Sequence, residues 1–441
     1  MPSDYGLCHI SVLLDSCPWF SGNFRAMAQR EFDLVLYGAT GFVGTLTAEY
    51  LSRAAGSARI ALAGRSVDKL RAVRDTLGDS ARSWPIIEAD ADSPASLRAM
   101  AGRTQVIATT VGPYTRYGLP LVAACVAAGT DYADLSGETP FIRASIEQFH
   151  TQAVDAGVRI VHSCGFDSVP SDLTVYALYD RARTDGEGEL TGTNMVVRKF
   201  VGGASGGTLA SILEARRTMS ADPEIRHAML DPYTLSTDRD AEPDLGPQSD
   251  APLRRGIRIA PELKGCWTGA FIMAAENSRI VRRSNALMDW AYGREFRYAE
   301  QVSAGPSVIA PVTAAVSTAA LAAILGLGSR YADKVAGALK RVLPKPGTGP
   351  SENALAKGHY RIETYTTTTT GARYRAVIAQ QGDPSYLATA VLLGQSGLAL
   401  ALDRDKLTDL HGVLTPAAAM GEVLLDRLPA AGATCETTRL N

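Results

Sequence analysis

Phe32, Leu34 and the three residues after it leave a single polar position, Asp33, in an apolar run that stops at Gly38. A short apolar run ended by glycine predicts a buried strand. Just beyond, Val43, Leu46, Thr47, Tyr50 and Leu51 recur at the spacing of one helix face, and Gly56 can end that helix. The alternation then repeats. Strands are predicted at residues 59–63, 85–89, 105–111, 132–135 and 158–163. Between them lie helices opened by Ser66 (Val67, Leu70, Val73, Leu77) and by Ser93-Pro94, and others over 119–128 and 141–156. Strand alternating with helix in this way predicts an α/β chain with a doubly wound parallel sheet.

Beyond Asp172 the rhythm changes. Residues 195–201 read as a strand, 208–219 as a helix, and 223–255, rich in Asp and Pro, as a long loop, either a mobile lid or disordered. Strands are predicted at 268–280 and 295–302, and a hairpin at 360–370 and 373–381 around Gly371-Ala372. Strands without intervening helices predict an α+β second domain with a largely antiparallel sheet. Residues 386–402 and 416–428 read as helices that return to the first domain. The expected units are a poorly ordered extension (1–29), a nucleotide-binding domain (30–170), a substrate or oligomerisation domain (171–383), and the C-terminal helices (384–441).

The first strand, its turn and its helix carry the chemistry: Gly38-Ala39-Thr40-Gly41-Phe42-Val43-Gly44. Glycine spacing of this kind between strand and helix suits a dinucleotide diphosphate held over a helix N-terminus, as in a Rossmann domain. Arg65-Ser66 follows the second strand, at the position that reads the ribose. An acid there would bind a 2′-hydroxyl, whereas an arginine suits a 2′-phosphate, so NADP(H) is expected over NAD(H). Asp90 follows the third strand, where adenine would lie. Loops at Val111-Gly112-Pro113-Tyr114 and from Cys164 through Asp167 to Asp172 should face the nicotinamide.

Short-chain reductases share this glycine pattern but need Tyr-x-x-x-Lys, which the chain lacks. With the glycine stretch, those two loops and Gly412-Val413-Leu414-Thr415-Pro416-Ala417, the sequence resembles the saccharopine dehydrogenase-like oxidoreductases, and within them the mycobacterial trans-acting enoyl reductases. The resemblance implies a Rossmann domain assembled from both chain ends, a central substrate domain, NADPH as donor and reduction of a carbon–carbon double bond. The implied partners are a lipid or carrier-bound acyl substrate and a polyketide synthase. Such a reaction needs a carbonyl partner and a proton donor. Tyr114 is the first candidate and Asp167, if burial raises its pKa, the second. Cys164, in an apolar strand end, reads as packing.

Composition narrows the field. A net charge of −2 over 441 residues gives no basic excess for nucleic acid, and six scattered cysteines form no zinc or disulfide pattern. A cytoplasmic protein is expected. Residues 301–329 carry no charge, and Arg330, Lys334, Lys340 and Arg341 follow opposite Tyr331, Val335, Leu339 and Val342. Peripheral membrane contact, a buried helix pair and a homodimer interface all fit that segment. Three other functions compete. A saccharopine-type reductase of a keto or imine substrate could bind carboxylates with Arg198, Lys199, Arg216 and Arg217. A non-enzymatic NADP(H)-binding protein would bind without turnover. A serine hydrolase could use Ser205, within Gly203-Ala204-Ser205-Gly206-Gly207, with His359 or His411.

Overall fold

The computed structural model describes residues 30–203, 223–324 and 349–441. The N-terminal extension, the helix at 208–219, Ser205 and the basic stretch at 330–343 lie outside them. Chain order begins β1 (Phe32–Tyr37), α1 (Phe42–Ala54), β2 (Ile60–Gly64), α2 (Val67–Thr76), β3 (Ile86–Glu88), α3 (Pro94–Ala101), β4 (Thr104–Thr109) and α4 (Tyr114–Ala128). It continues with β5 (Asp131–Ala133), α5 (Thr139–Asp155), β6 (Arg159–Val161) and α6 (Val169–Thr184). The strands lie in the order β6-β5-β4-β1-β2-β3, all parallel. After β3 the chain crosses back to the other side of β1, so the strand order reverses between β1 and β4. Ligands of such sheets bind outside the strand ends at that reversal.

The middle of the chain builds a second sheet from β7 (Gly192–Val201), β8 (Arg254–Arg255), β9 (Trp267–Ala270), β10 (Arg297–Gly305), β11 (His359–Thr367) and β12 (Arg373–Gln381). Its helices are α7 (Pro223–Leu230), α8 (Ala274–Leu287), α9 (Ala310–Ile324) and α10 (Glu352–Lys357). Among the described residues only β7 and β10 of this sheet pair in parallel; its other pairs are antiparallel. Two expectations need correction. The strand expected at 268–280 is split into β9 and α8. That helix hides from a hydropathy reading because Asn277, Ser278, Arg279, Arg282, Arg283 and Ser284 are all buried in it. The supposed lid at 223–255 starts with α7 and is then pinned: Asp250 takes Arg279 at 2.5 Å and Arg282 at 3.1 Å, and Arg297 donates to Leu245 O at 2.6 Å.

The C-terminal segment serves both sheets. A helix, α11 (Thr389–Leu402), packs under the first sheet, where Gly397 lies so close to Leu34 that a Cβ would be 3.1 Å from it. With the turn before it, α11 is long and apolar enough to cross a membrane, yet 78% of that stretch is buried inside the protein. Next come β13 (Gly412–Leu414), α12 (Pro416–Ala430) and β14 (Ala433–Arg439). β13 joins the first sheet in parallel beside β6, and β14 pairs antiparallel with β12 of the second. Asp172 of α6 locks the junction: one oxygen accepts Ser284 Oγ of α8 at 2.5 Å, the other the Ala417 N–H of α12 at 2.8 Å. Arg283, fully buried, donates to the carbonyls of Leu235 and Val413, tying α8 to β13.

Candidate functional site

The glycine turn between β1 and α1 is built by sterics. Gly38 has φ +89°, and a Cβ on it would lie 2.7 Å from Thr110 Oγ1 and from Val111 Cγ2. A Cβ on Gly44 would lie 2.1 Å from the Gly38 carbonyl oxygen, so the helix can meet the strand end this closely only without a side chain. Gly41 is less constrained: it has extended backbone (φ −76°, ψ 162°), and a Cβ there would be 3.4 Å from that same oxygen. It occupies the cap position of α1, and no side chain caps the helix. Ala39, Thr40, Gly41, Phe42 and Val43 thus form a corner whose first-turn N–H groups can meet an anion. The close packing that Gly38 and Gly44 allow sets the sharp turn that presents the start of α1 to a diphosphate.

Beside it, the ends of β1, β2 and β3 gather Tyr37, Arg65 and Asp90. Burial first, then the charge of Asp90, push the Tyr37 phenol up to about 12, with the Arg65 charge opposing. Arg65 is exposed and makes no hydrogen bond or ion pair among the described residues, leaving its guanidinium available to a phosphoryl group. Ser66 caps α2 in position but not through its side chain. Asp90 shapes its turn, accepting the Asp92 N–H at 3.0 Å while its own N–H donates to Ser96 Oγ at 3.0 Å.

On the other side of the reversal, Gly112 and Pro113 are exposed at the end of β4. Tyr114, the first candidate for proton donor or carbonyl partner, is held by main chain in this structure. It begins α4 rather than standing in a loop, is 7% exposed, and its hydroxyl is engaged twice by main chain: it donates to Thr109 O at 3.1 Å and accepts the Leu135 N–H at 3.2 Å. Burial, aided by Asp134, holds its pKa well above the ordinary phenol. Asp167 is half-buried in the turn before α6. Phe166 next to it packs edge-on against Tyr360, ring centres 4.6 Å apart, and tilted against Phe200 at 5.8 Å, which brings the second sheet against this turn. The Cys164 thiol is buried and its pKa raised by that burial, in keeping with a packing role.

Sequence reasoning missed the residues that hold these loops. Glu138 reaches from the β5–α5 loop to the start of α4 and accepts the N–H groups of Tyr114 at 3.1 Å and Thr115 at 2.8 Å. Asp134 accepts from Ser136 N at 2.9 Å, Ser163 N at 3.0 Å and Tyr132 Oη at 2.9 Å, and its Oδ2 lies 2.7 Å from His162 Nδ1. His162 Nε2 in turn lies 2.9 Å from Ser145 Oγ. The order of groups is that of a hydrolase triad, but all three are fully buried, so it braces the loops. The signal was present as Asp134-Leu135-Ser136-Gly137-Glu138, polar residues directly after a strand end. Arg198, considered for a substrate carboxylate, lies 3.3 Å from Glu363, a carboxylate it shares with Arg361 at 2.8 Å.

The comparisons with known proteins agree with this geometry. The family described as the saccharopine dehydrogenase NADP binding domain matches residues 34–161. A protein of Mycobacterium tuberculosis H37Rv named as a trans-acting enoyl reductase is 68% identical over 412 residues, which is 93% of this chain and 98% of that one. The trans-acting enoyl reductase of Mycobacterium ulcerans is 62% identical over 416 residues, covering 94% and 99%. Among solved structures, apo saccharopine dehydrogenase (L-Glu forming) from Saccharomyces cerevisiae has a TM-score of 0.51 at 13% identity, covering 92% of this chain and 99% of that one. That likeness shows a shared fold. The chain is an NADP-dependent oxidoreductase.

Proposed function

The chain belongs to the trans-acting enoyl reductases of the saccharopine dehydrogenase-like family, and on that premise we propose that it reduces the carbon–carbon double bond of an enoyl group in a lipid or polyketide-derived precursor. NADPH, when bound, supplies the hydride. The observation that carries the reading is the uncapped α1 corner beside an unpaired Arg65. In the proposed complex the first-turn N–H groups of α1 hold the diphosphate, and Arg65 takes the 2′-phosphate with Ser66 at its side. Gly112 and Pro113 border the nicotinamide face, kept in register by the Glu138 clamp behind them. Asp167, at the opposite loop, is the group we assign to deliver the proton at the α-carbon. Phe166, Phe200 and Tyr360 would keep water from the reacting carbons. The partner we assign is the polyketide synthase that assembles the precursor.

The test is nicotinamide oxidation with enoyl thioesters, keto thioesters and saccharopine-type imine pairs. Turnover confined to the keto or imine substrates would overturn the enoyl reading. Arg65→Asp should weaken NADPH by roughly 10²-fold, the loss of a charge-assisted contact worth about 1.5–3 kcal/mol plus added repulsion, and leave NADH little changed. Asp167→Asn should lower kcat by about 10²-fold with NADPH affinity retained, the range expected for a general acid.

A further inference from the structure

α9 lies on β9 by one face only. Ala310 and Ala314 are buried, Thr318 Oγ1 accepts the Ala270 N–H at 3.0 Å, and a Cβ on Gly269 would sit 2.9 Å from Ala314 O. The opposite face carries Val312 and Val316, 64% and 62% exposed, with Ala315 and Ala319 between and beyond them. Val308, 97% exposed, and Ile309 stand at the helix start. No charge interrupts this stripe. A soluble surface rarely offers aliphatic side chains in such a row without an occupant.

The neighbouring sheet edge supplies the other half of the surface. Gly269 faces α9, so Trp267, two residues earlier on β9, points to the same side. Arg255 of β8 is its cross-strand partner and lies over the indole ring at 5.2 Å. The exposed Leu253 and Ile257 flank Arg255, and Arg258 and Lys264 follow in the turns between β8 and β9. Arg254, Arg255, Arg258 and Lys264 form no ion pair among the described residues. The acid in those turns, Glu262, is taken by Arg373. Aliphatic side chains, an amphipathic Trp and unpaired cations are the ingredients of an interfacial membrane contact, with apolar groups entering the headgroup boundary and cations meeting anionic lipid.

We propose that the α9 stripe together with the β8–β9 edge docks this protein on an anionic lipid surface. The occupant is a bilayer: the unpaired cations of the neighbouring β8–β9 edge complement anionic headgroups, and the aliphatic stripe of α9 suits the apolar boundary beneath them. The proposal stands apart from the redox reading, and its test uses no turnover. Full-length protein is sedimented with vesicles of equimolar phosphatidylcholine and phosphatidylglycerol, and with phosphatidylcholine alone. Binding is expected to the first and not the second, and to fall at high salt. Val312→Asp with Val316→Asp, and separately Arg255→Glu with Arg258→Glu, should each weaken it about tenfold or more while thermal unfolding and NADPH binding stay as in the parent. Absence of sedimentation with anionic vesicles, or sedimentation unchanged in both variants, would overturn the proposal. So would a dimer seen by light scattering that the valine variant dissolves, which would assign the stripe to a second copy of this chain.

Discussion

Replacing Gly44 with alanine asks one methyl group to occupy space that main chain already fills. The new Cβ would lie 2.1 Å from Gly38 O, 2.9 Å from Gly38 C and 3.0 Å from Ala39 Cα, with no flexible side chain among the three to give way. To restore even a 3.0 Å contact the Gly38 carbonyl must retreat by about 0.9 Å, and the α1 corner moves with it. Overpacking of this order costs about 1–3 kcal/mol. A displacement near 1 Å at a positioning element costs about 10²-fold in what it positions. Gly41→Ala is the control, since its Cβ meets only Gly38 O at 3.4 Å and its backbone angles suit any residue. Denaturant unfolding and calorimetric NADPH titration of both variants check the reasoning. Gly44→Ala should lose about 1–3 kcal/mol and roughly 10²-fold in affinity, and Gly41→Ala less than about 1 kcal/mol of stability. Parent-like NADPH affinity in Gly44→Ala, or a larger loss of stability in Gly41→Ala, would refute the steric account of the turn.

Two further outcomes follow from buried groups. Tyr114→Phe removes the bonds to Thr109 O and Leu135 N; unfolding should show a loss of about 1–3 kcal/mol, and steady-state kinetics decide its role: kcat within a few-fold of the parent is expected if the hydroxyl only braces these loops, and a loss of about 10²-fold if it serves the reaction. Glu300 is fully buried between Tyr298 and Asn277, and burial raises its pKa to about 7. Folded protein therefore holds a proton that the unfolded chain has released above about pH 4.3, so this stabilisation is complete below that pH and fades as pH rises through 7. Thermal melts of Glu300→Gln across pH 5 to 8 should lack one proton's share of that slope, about 1.4 kcal/mol per pH unit at most; an unchanged slope would exclude Glu300 as its source.

What could be read from the residues alone depended on where burial follows hydropathy. The first sheet's six leading strands were legible because each is an apolar run cut off by glycine or a polar turn, and the glycine turn because its sterics are local. β13 was not, since three residues pair with β6 only through a fold that brings distant parts of the chain together. α8 was not, because its interior face is arginine, serine and asparagine satisfied by partners such as Asp250 and Asp172. The surroundings of Tyr114 were hidden for a related reason: its position in sequence is beside the cleft, while its hydroxyl is bonded to the end of β4 and to the loop after β5.

The late arrival of β13 and α11 bears on how the nucleotide fold comes into being. Until Gly412–Leu414 emerges, β6 has a bare edge, and until Gly397 seats against Leu34 the underside of β1 and β4 faces water. An excised 30–170 fragment would keep every glycine of the turn and still expose both surfaces, so it should aggregate and not bind nucleotide. During synthesis the same open faces must wait until α11 and β13 have been made, which favours slow folding and gives residues far along the chain a say in whether the glycine turn is ever set.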